Sequence, residues 1–217
     1  METPHFIRPR PLVSGSRVAA LSLSAGFVTE VPHRYAAGVR QAAKSLGWAI
    51  VAAPNAFRGP EYLYANPQAR ADDLHWALEN PDIDGMVSVI GGDDSIRLLP
   101  LLDRELLRQH PKAFMGYSDA TVTLTQFLKA GVMAYHGPAV LTDLAEDGGM
   151  HPFTVQSIQQ AFGAEPLFPL SRARVDPSPA RLAGRSRAGY KARVPTWGRL
   201  DLAATRQQRR APSGRLH

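Results

Sequence analysis

Short apolar runs bounded by small or turn-forming residues alternate along the chain with segments whose apolar positions recur every three or four residues. Arg17 to Leu23 (RVAALSL) is such a run and stops at Ser24, Ala25 and Gly26, which predicts a strand ending in a loop. From His33 to Leu46, the residues Tyr35, Val39, Ala42 and Leu46 fall on one helical stripe, and Gly47 stands where a helix stop belongs. Trp48 to Ala53 predicts a second strand. Asn66-Pro67 joins an N-capping residue to a proline at the first helical position and opens a helix to about Leu78. The acidic pair Asp72-Asp73 on that helix reads as a solvated surface.

Gly85 to Ile90 (GMVSVI) predicts a buried strand that stops at Gly91-Gly92, and Ser95 to Leu102 a short helix. Ala113 to Gly116 follows as a strand, Asp119 to Ala130 as a helix and Val132 to Tyr135 as a last strand. Pro152 to Phe162 carries Val155, Ile158 and Phe162 at helical spacing. Strands separated by helices of this length form crossover units. The predicted class is therefore α/β, a parallel sheet with helices on both faces, of Rossmann or flavodoxin-like type. Ligands of such sheets sit beyond the carboxyl ends of the strands, so the loops after Leu23, Ile90, Gly116 and Tyr135 are the ones to examine.

Composition changes this picture only toward the end of the chain. From Ser171 onward there are eleven Arg and one Lys against two Asp, whereas residues 1–170 hold 13 basic and 17 acidic residues. The overall charge of +6 thus belongs to the last segment, while the body is mildly acidic. That segment is rich in Arg, Ala, Pro, Gly and Ser and has no sustained period, so it buries too little apolar surface to offset its ordering entropy. The expectation is a nucleophile-bearing domain over 1–170 and a basic, low-order tail over 171–217, such as a truncated or frameshifted reading would produce. The tail lacks aromatic interleaving, which disfavours nucleic acid as a partner. No run approaches the length of a membrane span and no cysteine is present, so the expectation is a cytoplasmic protein without disulfides or a thiolate metal site.

Two loops carry unusual residues. Met115-Gly116-Tyr117-Ser118-Asp119-Ala120 leads from a strand straight into a helix. A serine on such a turn projects its hydroxyl above the sheet, and the helix N-terminus supplies unpaired N–H groups that can hold an oxyanion. Gly116 makes the tight turn possible, although Ala120 replaces the second glycine of G-x-S-x-G. The same residues also suit a plain helix N-cap at Ser118. In the second loop, Ile90-Gly91-Gly92-Asp93-Asp94-Ser95, paired glycines let a backbone approach a ligand closely. Taken alone, the loop is better accounted for by a tight turn capped by Asp94 or Ser95. Adjacent carboxylates and the lack of a Gly-Lys-Ser/Thr ending disfavour phosphate there. Ser95 is a rival nucleophile without a turn glycine two residues before it. His136, before Gly137-Pro138, reads either as a base or as a loop residue bonded to backbone. No histidine pair has zinc spacing, so no metal is expected.

Three blocks taken together resemble a known family: SVIGGDDSIRLLPLLD, HPKAFMGYSDATVTLTQFLKAG and VMAYHGPAVLTDLAEDGGMHPFTVQSI. They look like the LD-carboxypeptidase family of serine peptidases, and the GGDDS form resembles its microcin C immunity branch. The resemblance extends over about residues 11–170. It implies Ser118 as nucleophile, an oxyanion hole from the backbone N–H groups of Gly92 and Asp119, and Gly91, Asp94 and Ser95 as candidate substrate contacts. It also implies an acyl-enzyme hydrolase, without cofactor, acting on a murein L,D-peptide or a microcin C-like peptidyl-adenylate.

Members of that family complete a Ser-His-Glu triad from a carboxyl-terminal domain, for which this sequence offers no counterpart. Residues 171–217 contain no Glu and only His217. A serine without a base is a weak nucleophile, so little turnover is expected from this chain by itself. A catalytically silent, ligand-binding remnant of the fold is the other reading. Apolar surface that a second domain would cover predicts self-association, with a homodimer as the expected partner state.

Overall fold

The computed structural model describes residues 6–163, all within the first of two units into which the chain divides, Met1–Arg172 and Ala173–His217. The expectations for 171–217 lie outside the described residues. Five strands form one sheet: β1 (Arg17–Leu21), β2 (Ala49–Ala52), β3 (Gly85–Ser88), β4 (Ala113–Gly116) and β5 (Tyr135–His136). Their order is β2-β1-β3-β4-β5 and every pairing is parallel. This is the flavodoxin-like order, whose switch point lies between β1 and β3, where successive connections leave in opposite directions.

Among the described residues, five α-helices lie between the strands, α1 (Pro32–Leu46), α2 (Pro60–Ala65), α3 (Pro67–Glu79), α4 (Arg104–Gln109) and α5 (Thr121–Lys129), and α6 (Pro152–Phe162) follows the last strand. The period of two along the strands sorts side chains to two buried clusters. Ala19, Leu21, Met86 and Phe114 face Leu74 and Leu78 of α3, Leu107 of α4 and Phe127 of α5. Val18, Ala20, Val87 and Met115 face Tyr35, Ala42 and Leu46 of α1 and Phe162 of α6. Both faces of the sheet are therefore covered, as the continuous apolar runs require. Gly47 ends α1 in the left-handed conformation at φ 71°, so its own N–H and that of Trp48 reach back to the carbonyls of Ala43 and Ala42.

Three local expectations need correction, and one helix was not anticipated. Asn66 does not cap α3 through its side chain, because α2 ends immediately before it; the amide nitrogen donates to Tyr62 O at 2.8 Å. The predicted strand at Val132–Tyr135 is shifted to Tyr135–His136, and Val132 instead forms a parallel bridge with Ile7. The segment around Ile7 takes the backbone groups of Gly131 and Met133 that a longer β5 would have used. A short helix, α4, occupies the stretch between Leu102 and Ala113 and is opened by the Asp103 carboxylate, which accepts from the N–H groups of Glu105 and Leu106. Finally, Asp72 is exposed but Asp73 is buried, accepting from the Asn55 backbone and side chain. Burial pushes the Asp73 carboxyl above its ordinary range, against the opposing effect of the Asn55 bonds.

Phe114 is fully buried at the centre of one face, with its ring 5.4 Å from that of Phe127. Phe114→Ala should lower stability by about 3–5 kcal/mol, the range for emptying an aromatic core site. The check is a shift of the urea midpoint without a change in slope, since the surface exposed on unfolding is nearly the same.

Candidate active site

The carboxyl ends of β1, β3 and β4 bring three loops together. Ser118 is separated from the end of β4 by Tyr117 alone and opens a single 3₁₀ turn (Ser118–Ala120) that runs into α5. It is exposed, and among the described residues it is the only non-glycine residue with positive φ, at 58°. Such a conformation costs on the order of 1–3 kcal/mol and persists only where the surroundings enforce it. A helix N-cap has extended backbone angles, so the strained φ distinguishes this serine from a simple cap.

The surroundings that enforce it are glycines. A Cβ on Gly116 would lie 2.7 Å from Ser88 Cβ and 3.1 Å from Ala120 Cβ. Gly116 is thus needed for close approach of β3 and of the turn, whereas its φ is not in the left-handed region. A Cβ on Gly91 would lie 2.7 Å from Ser118 Cβ and 2.9 Å from its hydroxyl. The backbone of the paired-glycine loop therefore passes against the serine side chain. Gly92, at φ 155°, packs toward Ser24, whose hydroxyl a side chain there would strike. Among the described residues, the N–H groups of Gly92 and Asp119 donate to no protein acceptor.

Charge holds these loops in place. Asp119 Oδ2 accepts from the Ser24 hydroxyl and from the N–H groups of Asp94 and Ser95, at 3.0 and 2.8 Å for the two amides. Ser95 is fully buried and returns a bond from its hydroxyl to Asp119 O at 2.7 Å. The Asp94 carboxylate turns the other way, to Arg70 at 2.5 Å and Arg97 at 3.4 Å. Arg70, on α3, is fully buried and also donates to the carbonyls of Leu23 and Ser24. Burial pushes the Asp119 carboxyl up, but the bonds from Ser24, Ser95 and Asp94 outweigh it and hold the group below the usual carboxylate range.

Gly91, Gly92, Asp94, Ser95, Ser118 and Asp119 are thus brought together, although the side chains of Asp94 and Ser95 are engaged within the loops rather than presented to a ligand. His136 is exposed at the same sheet edge, paired in register with Gly116, and its ring stands 6.4 Å from that of Tyr117. Neither it nor any other described residue is hydrogen-bonded to the Ser118 hydroxyl, whereas the Ser118 carbonyl accepts from the Thr121 N–H. Sequence reasoning missed Ser24 and Arg70. Arg70 was detectable, because it falls on the buried stripe with Leu74 and Ala77 at helical spacing. No group of three or more metal-ligating side chains occurs among the described residues.

The model of the LD-carboxypeptidase N-terminal domain matches residues 18–137, more than half of the chain. This chain belongs to the LD-carboxypeptidase family. It is 30% identical over 159 residues to the microcin C7 self-immunity protein MccF of Escherichia coli, covering 73% of this chain and 45% of that protein. A murein tetrapeptide carboxypeptidase of Pseudomonas aeruginosa is 37% identical over 100 residues, which is 46% of this chain and 31% of that one. Among solved structures, an MccF-like protein from Streptococcus pneumoniae in complex with AMP superposes with a TM-score of 0.63 at 30% identity, covering 69% of this chain and 46% of its own. MccF in complex with aspartyl sulfamoyl adenosine gives 0.64 at 28% identity, covering 72% and 47%. The chain spans less than half the length of these LD-carboxypeptidase relatives. No helix among the described residues is long and apolar enough to cross a membrane.

Because the folded-state pKa of Asp119 is lowered, its contribution to stability is complete above the unfolded value of about 3.9 and is lost as pH falls through the lower folded value. Its partners are the Ser24 hydroxyl and the Asp94 and Ser95 amides, while Arg70 and Arg97 pair with the Asp94 carboxylate. Carboxyl-carbon NMR should place the Asp119 midpoint below that of an unperturbed aspartate, with the Asp94 and Ser95 amide shifts moving in the same step. A midpoint at or above the ordinary value would contradict the bonding described.

Proposed function

We propose that this chain carries the nucleophile and oxyanion hole of a serine-type LD-carboxypeptidase. The observation that supports it most is the exposed Ser118 held at positive φ against the Gly91 backbone. In this reading, Ser118 Oγ attacks the carbonyl carbon of a small peptide amide. The oxygen that becomes negative is received by the free N–H groups of Gly92 and Asp119, which act only as charge develops. Collapse of the tetrahedral adduct breaks the C–N bond, the amine departs with the proton given up by the serine, and water then hydrolyses the acyl-serine to the free acid.

The activating base comes from outside residues 6–163, since no described residue is hydrogen-bonded to the hydroxyl. Oxyanion donors and binding without a base leave a rate advantage of roughly 10³–10⁴ over water, so turnover by this chain alone is slow. Of the two substrate classes, a peptidyl-nucleotide is favoured over a murein L,D-peptide. The resemblance to MccF covers 73% of the chain, against 46% for the murein tetrapeptide carboxypeptidase, and the neighbouring structures hold AMP or aspartyl sulfamoyl adenosine.

A fluorophosphonate probe tests the nucleophile. Peptide mass mapping should locate the adduct on Ser118, and Ser118→Ala, which keeps the Cβ and so the backbone strain, should remove it while the melting temperature stays the same. An adduct on Ser95, or undiminished labelling of Ser118→Ala, would refute the assignment.

A further inference from the structure

We infer that the Asp119 carboxylate, working with the buried Arg70, is a positioning device that sets the paired-glycine loop against Ser118 without touching substrate. The inference rests on the reading of Ser118 and of the two N–H donors given above. Residue 119 then serves twice, its main-chain N–H facing the reacting oxygen and its side chain holding the loop that carries the second donor.

Connectivity carries the argument. One carboxylate oxygen joins the loop after β1, through the Ser24 hydroxyl, to the loop after β3, through the N–H groups of Asp94 and Ser95. The Ser95 hydroxyl bonds back to Asp119 O, so the peptide after Ser118 is tied to the same loop in both directions. At the far side of Asp94, its carboxylate meets Arg70, which also takes the carbonyls of Leu23 and Ser24. The loop after β3 is therefore held between an anion on its amide side and a cation on its side-chain side. Upstream, Ala25 N–H donates to Gly91 O at 3.2 Å. Gly91 and Gly92 lie between these anchors, and glycine has no side chain of its own to fix it.

Charge also explains why a carboxylate is tolerable beside a site for a developing oxyanion. Its negative charge is directed at three donors on the loops, and Arg70 and Arg97 pair with the adjoining Asp94. A residue of merely structural value would be replaceable by any acceptor. This one acts by fixing two donors relative to a nucleophile, where an error of about 1 Å costs on the order of a hundredfold in rate.

The experiment uses the 217-residue chain with Asp119→Asn, which keeps shape and main-chain N–H, and Ser24→Ala, which keeps the carboxylate and removes one donor. Fluorophosphonate kinetics should show the maximal rate of Ser118 modification falling at least tenfold in Asp119→Asn and less in Ser24→Ala, with the half-saturating probe concentration unchanged. Residue-resolved amide exchange should be at least tenfold faster at Asp94 and Ser95, with Val87 and Phe114 unaltered. If Asp119→Asn does not fold, Ser24→Ala decides by the same two readouts. Labelling kinetics equal to the parent overturn the inference, as does a loss spread equally over loop and strand amides. If the parent takes up no probe at Ser118, as a serine without its base allows, the inference is judged on exchange alone: selective acceleration at Asp94 and Ser95 supports it and unchanged protection overturns it. An adduct on Ser95 instead refutes the nucleophile reading and leaves the exchange test standing.

Discussion

A guanidinium removed from water needs acceptors, and the two terminal nitrogens of Arg70 find theirs just beyond the ends of the sheet, while its Nε has none among the described residues. Arg70 is fully buried, and its partners are two carbonyls after β1 and the carboxylate of Asp94 after β3. Leaving such a charge unpaired costs several kcal/mol, so the loops on either side of the switch point cannot drift apart without exposing it. The rest of the site is built on this restriction. Asp119 extends the same network to the loop after β4, and Ser118 is its neighbour in the chain.

The fold was legible because its signals are redundant. Apolar runs, helical stripes and the glycine stop at Gly47 point to the same crossover units, and the strand alternation Val18/Ala20 against Ala19/Leu21 sorts residues to opposite faces as the pleat demands. The parts misread are those decided by partners distant in sequence. Val132 pairs with Ile7, across more than a hundred residues, and no local pattern announces it. Asp73 looks like half of a solvated pair until the loop at Asn55 folds over it. Asn66 has the character of a cap, but α2 ends at the residue before it.

The candidate site was half legible for a related reason. The turn chemistry of Gly116-Tyr117-Ser118 and of Gly91-Gly92 is local, and both glycine positions prove to be forced by contacts under 3 Å. The roles of Asp94 and Ser95 are not local. Their side chains looked available for a ligand, yet one meets a buried arginine from a helix and the other the carbonyl of Asp119. A charged residue on the apolar stripe of a helix, such as Arg70, deserves as much weight in a sequence as a glycine pair in a loop, because only a dedicated partner makes it tolerable.

The strand order has a consequence for assembly. β1 lies inside the sheet, and its two neighbours, β2 and β3, come from residues 49–52 and 85–88. During vectorial synthesis, β1 waits with both hydrogen-bonding edges open until β2 emerges, and one edge stays open for more than thirty residues beyond that. Parallel pairing adds to the delay, since each closure spans a whole helix. The interval between Ala52 and Gly85 is therefore the period in which the nascent chain is most exposed to mispairing. The same interval supplies α3, whose Leu74 and Leu78 cover one face of β1 and whose Arg70 reaches the carbonyls just beyond its end.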